Sequence, residues 1–246
     1  QERRQFMDTE FSQMSSRYLY AISQFRGLLK QRNEYLKQLK YGSQVDQVLL
    51  EVLSDQLAES GAAVMAMRFK LLKRLETWSA QLHEHISQQK EVLKLKYISQ
   101  VMIDEKTAEN EIAEQLQKLY HEHQPQEIKL GTTLYGPQRD DIRFLVNEQD
   151  VHRFGSQGQQ RTTALAVKLA EIDLMNEQTG EYPLLLLDDV LSELDDDRQT
   201  HLLTAIQDKV QTFLTTTSLS GVARQLINRP TIFQIAHGTI DKEDKK

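Results

Sequence analysis

Leu184-Leu185-Leu186-Leu187-Asp188-Asp189 is the stretch whose reading decides the fold, and Ser192-Glu193-Leu194-Asp195 follows it almost at once. Four leucines in a row fit a central strand covered on both faces. Two acids where that strand emerges make a hard, anionic spot that can hold Mg²⁺ and polarise a water. Paired acids after an apolar run also occur as a plain solvated turn or helix cap, so the segments around this one have to decide between the two.

Working outward, the spacing predicts alternating elements. A strand at Thr212–Thr215, a helix over 219–227 and a last strand at Thr231–Ala236 follow a helix over 196–208. Upstream lies a helix over 157–176, ended by Gly180. Before it, Asp140–Val146 reads as a strand, Asn147–Asp150 as a polar turn, and Val151–Phe154 as the returning strand. Alternating β and α segments argue for a layered α/β domain. Further out, Val92–Tyr97 alternates like a half-buried strand, 105–122 is helical, and the residues after Pro125 read as β-like. Two helical stretches open the chain, one over 11–39 and one over 48–86, with Gly42 between them, Ser43 or Asp46 as the cap of the second, and Gly61 expected to bend it. The domain expectation is a helical arm over 1–89, extending at most to about 124, a head over 90–240, and a charged, unstructured tail over 241–246.

Composition narrows the classes. The chain has 246 residues with 36 acids against 30 bases, a net charge of -6, so bulk charge does not drive it onto nucleic acid. It has no cysteine, hence no disulfide and no cysteine-based zinc site, which suits a reducing cytoplasm. No apolar run approaches the ~20 residues of a membrane span. The opening Gln1-Glu2-Arg3-Arg4-Gln5 reads as the interior of a longer gene product.

A second motif is Phe154-Gly155-Ser156-Gln157-Gly158-Gln159-Gln160-Arg161-Thr162, glycines and a serine immediately before a helix. Amides at a helix N-terminus, the helix dipole and a hydroxyl form an anion site, and Gly158 lets the backbone come close. Alone, such a string is a helix cap. Its position ahead of the leucine strand gives it more meaning.

Together these motifs resemble those of ABC-type ATPases. Ser156-Gln157-Gly158-Gln159 is similar to the signature loop Ser-Gly-Gly-Gln, Leu184–Asp189 to a Walker B strand, and Ser192–Asp195 to a D-loop. The glycine loop, the Asp-Asp strand end, Gly136-Pro137-Gln138-Arg139-Asp140-Asp141 and Arg3-Arg4-Gln5-Phe6-Met7-Asp8 together resemble the RecF family, bacterial recombinational-repair ATPases related to SMC proteins. The resemblance covers the whole chain as the C-terminal two-thirds of such a protein.

It implies a helical arm joined to the C-terminal lobe of an ABC-type, SMC-like head, with ATP and Mg²⁺ as cofactors. Asp188 would hold Mg²⁺. Asp189 stands where most ABC ATPases carry a glutamate base, and its shorter side chain suits slow hydrolysis. Ser156, Gln157, Gly158 and Gln159 form the loop that would meet the γ-phosphate of ATP held by another protomer, with Gln157 replacing a glycine. Ser192 and Asp195 would line the dimer interface. The implied partners are double-stranded DNA, single-strand/double-strand junctions, RecR, RecO and an ATP-dependent second copy, acting in repair, replication restart and the SOS response.

Two departures stand out. After the strand that follows Walker B the chain reads Leu214-Thr215-Thr216-Thr217-Ser218, without the usual switch histidine, so a threonine hydroxyl is the candidate sensor. Walker A, Gly-x-x-x-x-Gly-Lys-Ser/Thr, is absent: Gly131 and Gly136 have the spacing, but Pro137 and Gln138 occupy the Lys and Ser/Thr positions. The chain therefore carries half of an ATP site. The alternatives are a nucleotide-free interaction module, separated by whether Walker A precedes residue 1, and another SMC-like nuclease-associated ATPase, which the motifs fit less well.

The remaining polar residues have plainer readings. Arg139 is expected in a structural or interdomain role. The pairs His83/His85 and His121/His123 are two apart, so neither member shares a helix face with the other, and solvated histidines are expected. Trp78 sits on an apolar stripe and reads as core. Arg68, Lys70, Lys73 and Arg74 read as a solvated basic helix face, with DNA phosphate contact as the functional alternative.

Overall fold

The computed structural model describes residues 2–42, 46–207, 209–217 and 231–243. Three helices open it: α1 (Glu2–Met14), α2 (Ser16–Lys40) and α3 (Gln47–Ile86). The single helix expected over 11–39 is two, because Ser15 leaves helical geometry and its side chain accepts from the amide of Tyr18, capping α2. Asp46 caps α3 through the amide of Leu49; Ser43, the other candidate, lies outside the described residues.

Gly61 does not bend α3. The helix runs unbroken for 40 residues, about 60 Å at 1.5 Å per residue. A Cβ at Gly61 would lie 3.2–3.3 Å from Leu116, Phe25 and Pro137, so the glycine is there to let neighbours approach closely. Along its length α3 buries Leu57, Met65, Leu72 and Leu75.

β1 (Leu93–Ile98) pairs antiparallel with β2 (Asp141–Val146), Leu93 opposite Val146 and Ile98 opposite Asp141. Between them come α4 (Glu109–Glu122) and α5 (Gln124–Leu130). The β-like stretch expected after Pro125 is therefore a helix; Pro125 stands in its first turn, where a missing amide costs nothing. Asn147 and Glu148 both adopt positive φ in the turn to β3 (Gln149–Asp150), and Val151–Phe154, expected as a strand, is a helical turn, α6, capped by Asp150. α7 (Gln157–Thr179), β4 (Leu185–Asp188), α8 (Asp196–Ile206) and β5 (Thr212–Thr215) follow, with β4 and β5 parallel. The expected helix over 219–227 lies outside the described residues. β6 (Ile232–Ala236) pairs with β7 (Thr239–Glu243), which takes Asp241–Glu243 from the segment read as an unstructured tail.

One core runs through α1, α2, α3, α4, β1, β2 and α7, including Phe11, Phe25, Met65, Leu95, Ile142 and Leu174. A second joins α7 to β4 and α8 through Leu169, Ile172, Leu187, Leu191 and Leu202. The leucine strand departs from expectation. Leu185 and Leu187 face this second core, but Leu186 is 74% exposed and Leu184 65%. Leu186 lies opposite Phe213, itself half exposed, so one face of the β4–β5 sheet is covered and the other presents apolar side chains.

Candidate functional site

The exposed face of that sheet ends in Asp188. Its carboxylate accepts a hydrogen bond from the hydroxyl of Thr215, its partner across the parallel ladder. The next residue, Asp189, turns the chain with φ 51° and ψ 21°, a left-handed conformation that aspartate tolerates better than most residues. Its amide donates to the carbonyl and the hydroxyl of Thr215, both at 3.1 Å. Both aspartates are exposed. A carboxylate oriented by a hydroxyl and open to solvent fits Mg²⁺, which uses one or two carboxylates and keeps water and phosphate oxygens for the rest of its shell. No cluster of three metal-binding side chains exists among the described residues. The protein side of such a site is thus a single strand end.

After Asp189 the chain makes a tight turn at Val190–Glu193. The buried side chain of Gln199 holds this turn, donating to the carbonyls of Leu191 at 2.8 Å and Leu194 at 3.0 Å. The side chain of Ser192 lies outside the described residues. Asp195 caps α8, accepting from the amide of Arg198 at 2.9 Å, and pairs with the Arg198 guanidinium at 3.3 Å.

The glycine loop forms a full capping box at the start of α7. Ser156 accepts from the amide of Gln159 at 3.2 Å, and the Gln159 side chain accepts from the amide of Ser156 at 2.9 Å. Gly155 is required by packing, since a Cβ there would lie 2.5 Å from the carbonyl oxygen of Val151. Ser156 and Gln157 are exposed, Gly158 and Gln159 half-buried. No acid stands in the first turn of α7, so the helix dipole and amides remain suited to an anion. The amide group of Gln159 also donates to Glu91 at 2.8 Å. Behind it, the ring of His83 is buried between Glu91 (3.7 Å) and Thr163 (3.4 Å), and burial pushes its pKa down. His83 is therefore not solvated as expected; it joins the end of α3 to the loop. A Cβ at Gly158 would touch both terminal nitrogens of Arg198 at 3.5 Å.

The loop and the acidic strand end occupy different parts of the head. Leu169 and Ile172, which share a core with Leu187, stand twelve and fifteen residues along α7 from Gln157, about 18–22 Å at 1.5 Å per residue. Arg198, in the first turn of α8, reaches the loop at Gly158, and Asp195 is the cap of that helix.

The two remaining family-like strings meet although far apart in sequence. Arg3 pairs with Asp141, and Arg4 donates to the carbonyl of Asp140 at 2.9 Å. Arg68, expected on a solvated face or against DNA phosphate, is instead buried. It donates to Tyr18 at 2.8 Å, Asp8 at 2.7 Å and the carbonyl of Pro137 at 2.7 Å, and lies 3.7 Å from Asp140. Burial pushes the Asp140 carboxyl up to about 6. The rest of that basic cluster is partly engaged, Lys73 by Glu76 and Arg74 by Glu177, which also accepts from Trp78. Trp78 packs against the core as expected. Arg139 donates to the carbonyl of Thr133 at 3.2 Å. A second buried pair, Arg32 with Glu127 at 2.6 Å, was not foreseen.

The chain is 69% identical over 242 residues to the DNA replication and repair protein RecF of Limosilactobacillus fermentum, covering 98% of this chain and 65% of that relative. It is 60% identical over 238 residues to the protein of the same name from Pediococcus pentosaceus, covering 97% and 64%. The chain belongs to the RecF family. A solved structure described as the recombination mediator protein RecF-ATP in the RecFOR pathway superposes with a TM-score of 0.84 at 34% identity, over 99% of this chain and 63% of that one. A second, of RecF-ATPrS, gives 0.82 over 98% and 62%. No family model matches. The chain spans 65% or less of the length of these RecF relatives. The expected architecture, a helical arm with the C-terminal lobe of an ABC-type head, is the RecF one.

Proposed function

We propose that this chain supplies the acidic half and the cross-site loop of a composite ATP site in a DNA-repair clamp of the RecF family. The observation that carries the reading is the Asp188–Thr215 pair at the solvent-facing end of β4. Asp188 would hold Mg²⁺, and Asp189 would accept the proton of the attacking water. Ser156, Gln157, Gly158 and Gln159 would present amides and the α7 dipole to the γ-phosphate on a second head, with Ser192 and Asp195 between the heads. Bound Mg²⁺·ATP supplies the charge that joins the two surfaces and the bond that is broken.

The phosphate-gripping lysine and glycine loop would come from outside these residues. The exposed apolar face of β4–β5, Leu184, Leu186 and Phe213, is the natural seat of that missing lobe. ATP binding would pair two heads and hydrolysis would part them, in the cytoplasm, on duplex DNA or at single-strand junctions, together with RecR and RecO. No described helix is long and apolar enough to cross a membrane.

The experiment is Asp189→Asn in the full-length protein. ATP binding should persist, hydrolysis should slow, and ATP-bound dimers should accumulate in sedimentation. Normal turnover by this variant would remove Asp189 from its role. Ser156→Arg should block dimerisation by crowding the loop; unchanged dimerisation would remove the loop from the interface.

A further inference from the structure

We infer that Arg198 is a phosphate-contacting residue of this site, acting in trans beside the Ser156–Gln159 loop of its own head on the nucleotide held by the other. The inference rests on the composite-site reading above.

The loop by itself is a weak anion site. It offers backbone amides and a helix dipole worth about half a charge. Glu91 places a carboxylate against Gln159, 2.8 Å from its side-chain nitrogen. His83 does little to offset that charge, because burial pushes its pKa down and disfavours the charged ring. A γ-phosphate closing on this loop therefore meets a local negative charge unless a cation stands beside it.

Arg198 stands there. Both of its terminal nitrogens lie 3.5 Å from the Cβ position of Gly158, the residue with no side chain to shield the loop backbone. The Arg198 side chain is 35% exposed, and that of its partner Asp195 58%. An ion pair this open is worth ~0–1 kcal/mol, so little holds the guanidinium back from a better anion. Its planar fork matches phosphate oxygens two at a time, which an ammonium cannot do. Its backbone is fixed by the α8 cap, where Asp195 accepts the Arg198 amide at 2.9 Å. Engagement of a phosphate by Arg198 would release Asp195, giving the loop a direct way to inform the D-loop.

The test uses the full-length protein in an Asp189→Asn background, where ATP-bound dimers persist. Sedimentation gives the ATP concentration at half-dimerisation. Arg198→Ala should raise it by about tenfold or more, as expected for losing charge-assisted hydrogen bonds. Arg198→Lys should restore part of the loss, and ATP binding by single heads at dilute protein should stay unchanged. The trans assignment has its own readout. Mixing Arg198→Ala with Asp189→Asn, in otherwise unaltered chains, should recover hydrolysis, because each mixed dimer holds one site with an intact base and an intact opposing arginine. Dimerisation unchanged by Arg198→Ala, or a mixture that stays inactive, overturns the proposal while the composite site stands. An unaltered protein that forms no ATP-driven dimer overturns both.

Discussion

The hydroxyl of Thr215 donates to the carboxylate of Asp188, and the amide of Asp189 donates back to Thr215 through its carbonyl and its hydroxyl. Three interactions thus lock the ends of β4 and β5 together at the acidic pair. Thr215 stands where the resemblance leads one to look for a sensor, and it is fixed to the carboxylate proposed to hold Mg²⁺.

Thr215→Val in the full-length protein should therefore lower the apparent Mg²⁺ affinity of ATP hydrolysis by about 10- to 100-fold, the usual range for removing a group that orients a metal ligand. Thr215→Ser should recover most of it. Mg²⁺ titration of hydrolysis at saturating ATP measures the effect. A valine variant with an unchanged Mg²⁺ midpoint would show that Asp188 needs no orientation.

The buried Arg32–Glu127 pair makes a stability prediction. Arg32 donates to Ser54 at 3.0 Å, Thr133 at 2.8 Å and Glu127 at 2.6 Å, and its guanidinium stacks over Tyr120 at 4.6 Å. Both charged side chains are fully buried. Arg32→Ala should cost about 3–5 kcal/mol by stranding Glu127. Replacing the pair together, Arg32→Met with Glu127→Leu, should cost clearly less than the single alanine change. Chemical denaturation of the unaltered protein, Arg32→Met, Glu127→Leu and the double variant closes the cycle and gives the coupling.

What was legible in the sequence was local. The helix cap at Ser156 and the strand end at Asp188 each lie within a few consecutive residues, so the string itself carries them. β5 was read at its observed bounds for the same reason. Arg68 was not legible, because its partner Asp8 lies 60 residues away and a basic residue on a helix gives no sign of a buried acid across the fold. Glu127, 95 residues from Arg32, is the same case. Leu184 and Leu186 are exposed although four leucines in a row predict a strand covered on both faces, because apolarity does not report what covers it. The residues after Pro125 are a helix and not β-like, because proline fits the first turn of a helix, where its missing amide costs nothing. Arg198 was missed because nothing near it in sequence announces Gly158.

Glu171 gives a pH prediction. Burial, with Glu10 beside it, pushes its carboxyl up to about 7 from 4.5, against the pull of Lys168 at 3.0 Å. A folded-state value above the unfolded one means that the folded protein binds the proton more tightly. The stabilisation is complete below about 4.5 and is lost as pH rises through about 7. Glu171→Gln should flatten the pH dependence of stability in that window. It should also leave the protein more stable than the unaltered chain above it, by at most a few kcal/mol at 1.36 kcal/mol per unit. Melting temperatures across the window decide it. An unaltered slope in the variant assigns the titration to another group.

Two helical glycines should respond oppositely to alanine. Gly27, inside α2, has nothing within 4 Å of its Cβ position, so Gly27→Ala should gain about 0.5–1 kcal/mol from helix propensity alone. Gly61, inside α3, has Leu116, Phe25 and Pro137 at 3.2–3.3 Å. The same propensity gain is opposed there by an overpacking cost of about 1–3 kcal/mol, because Phe25 and Leu116 are buried and Pro137 is rigid. Gly61→Ala should therefore be neutral to destabilising by about 1–2 kcal/mol. Urea midpoints for the two variants are the measurement. Equal stabilisation by both would mean that the contacts around Gly61 yield easily and that the glycine is not what lets α2, α4 and the Pro137 turn close on α3.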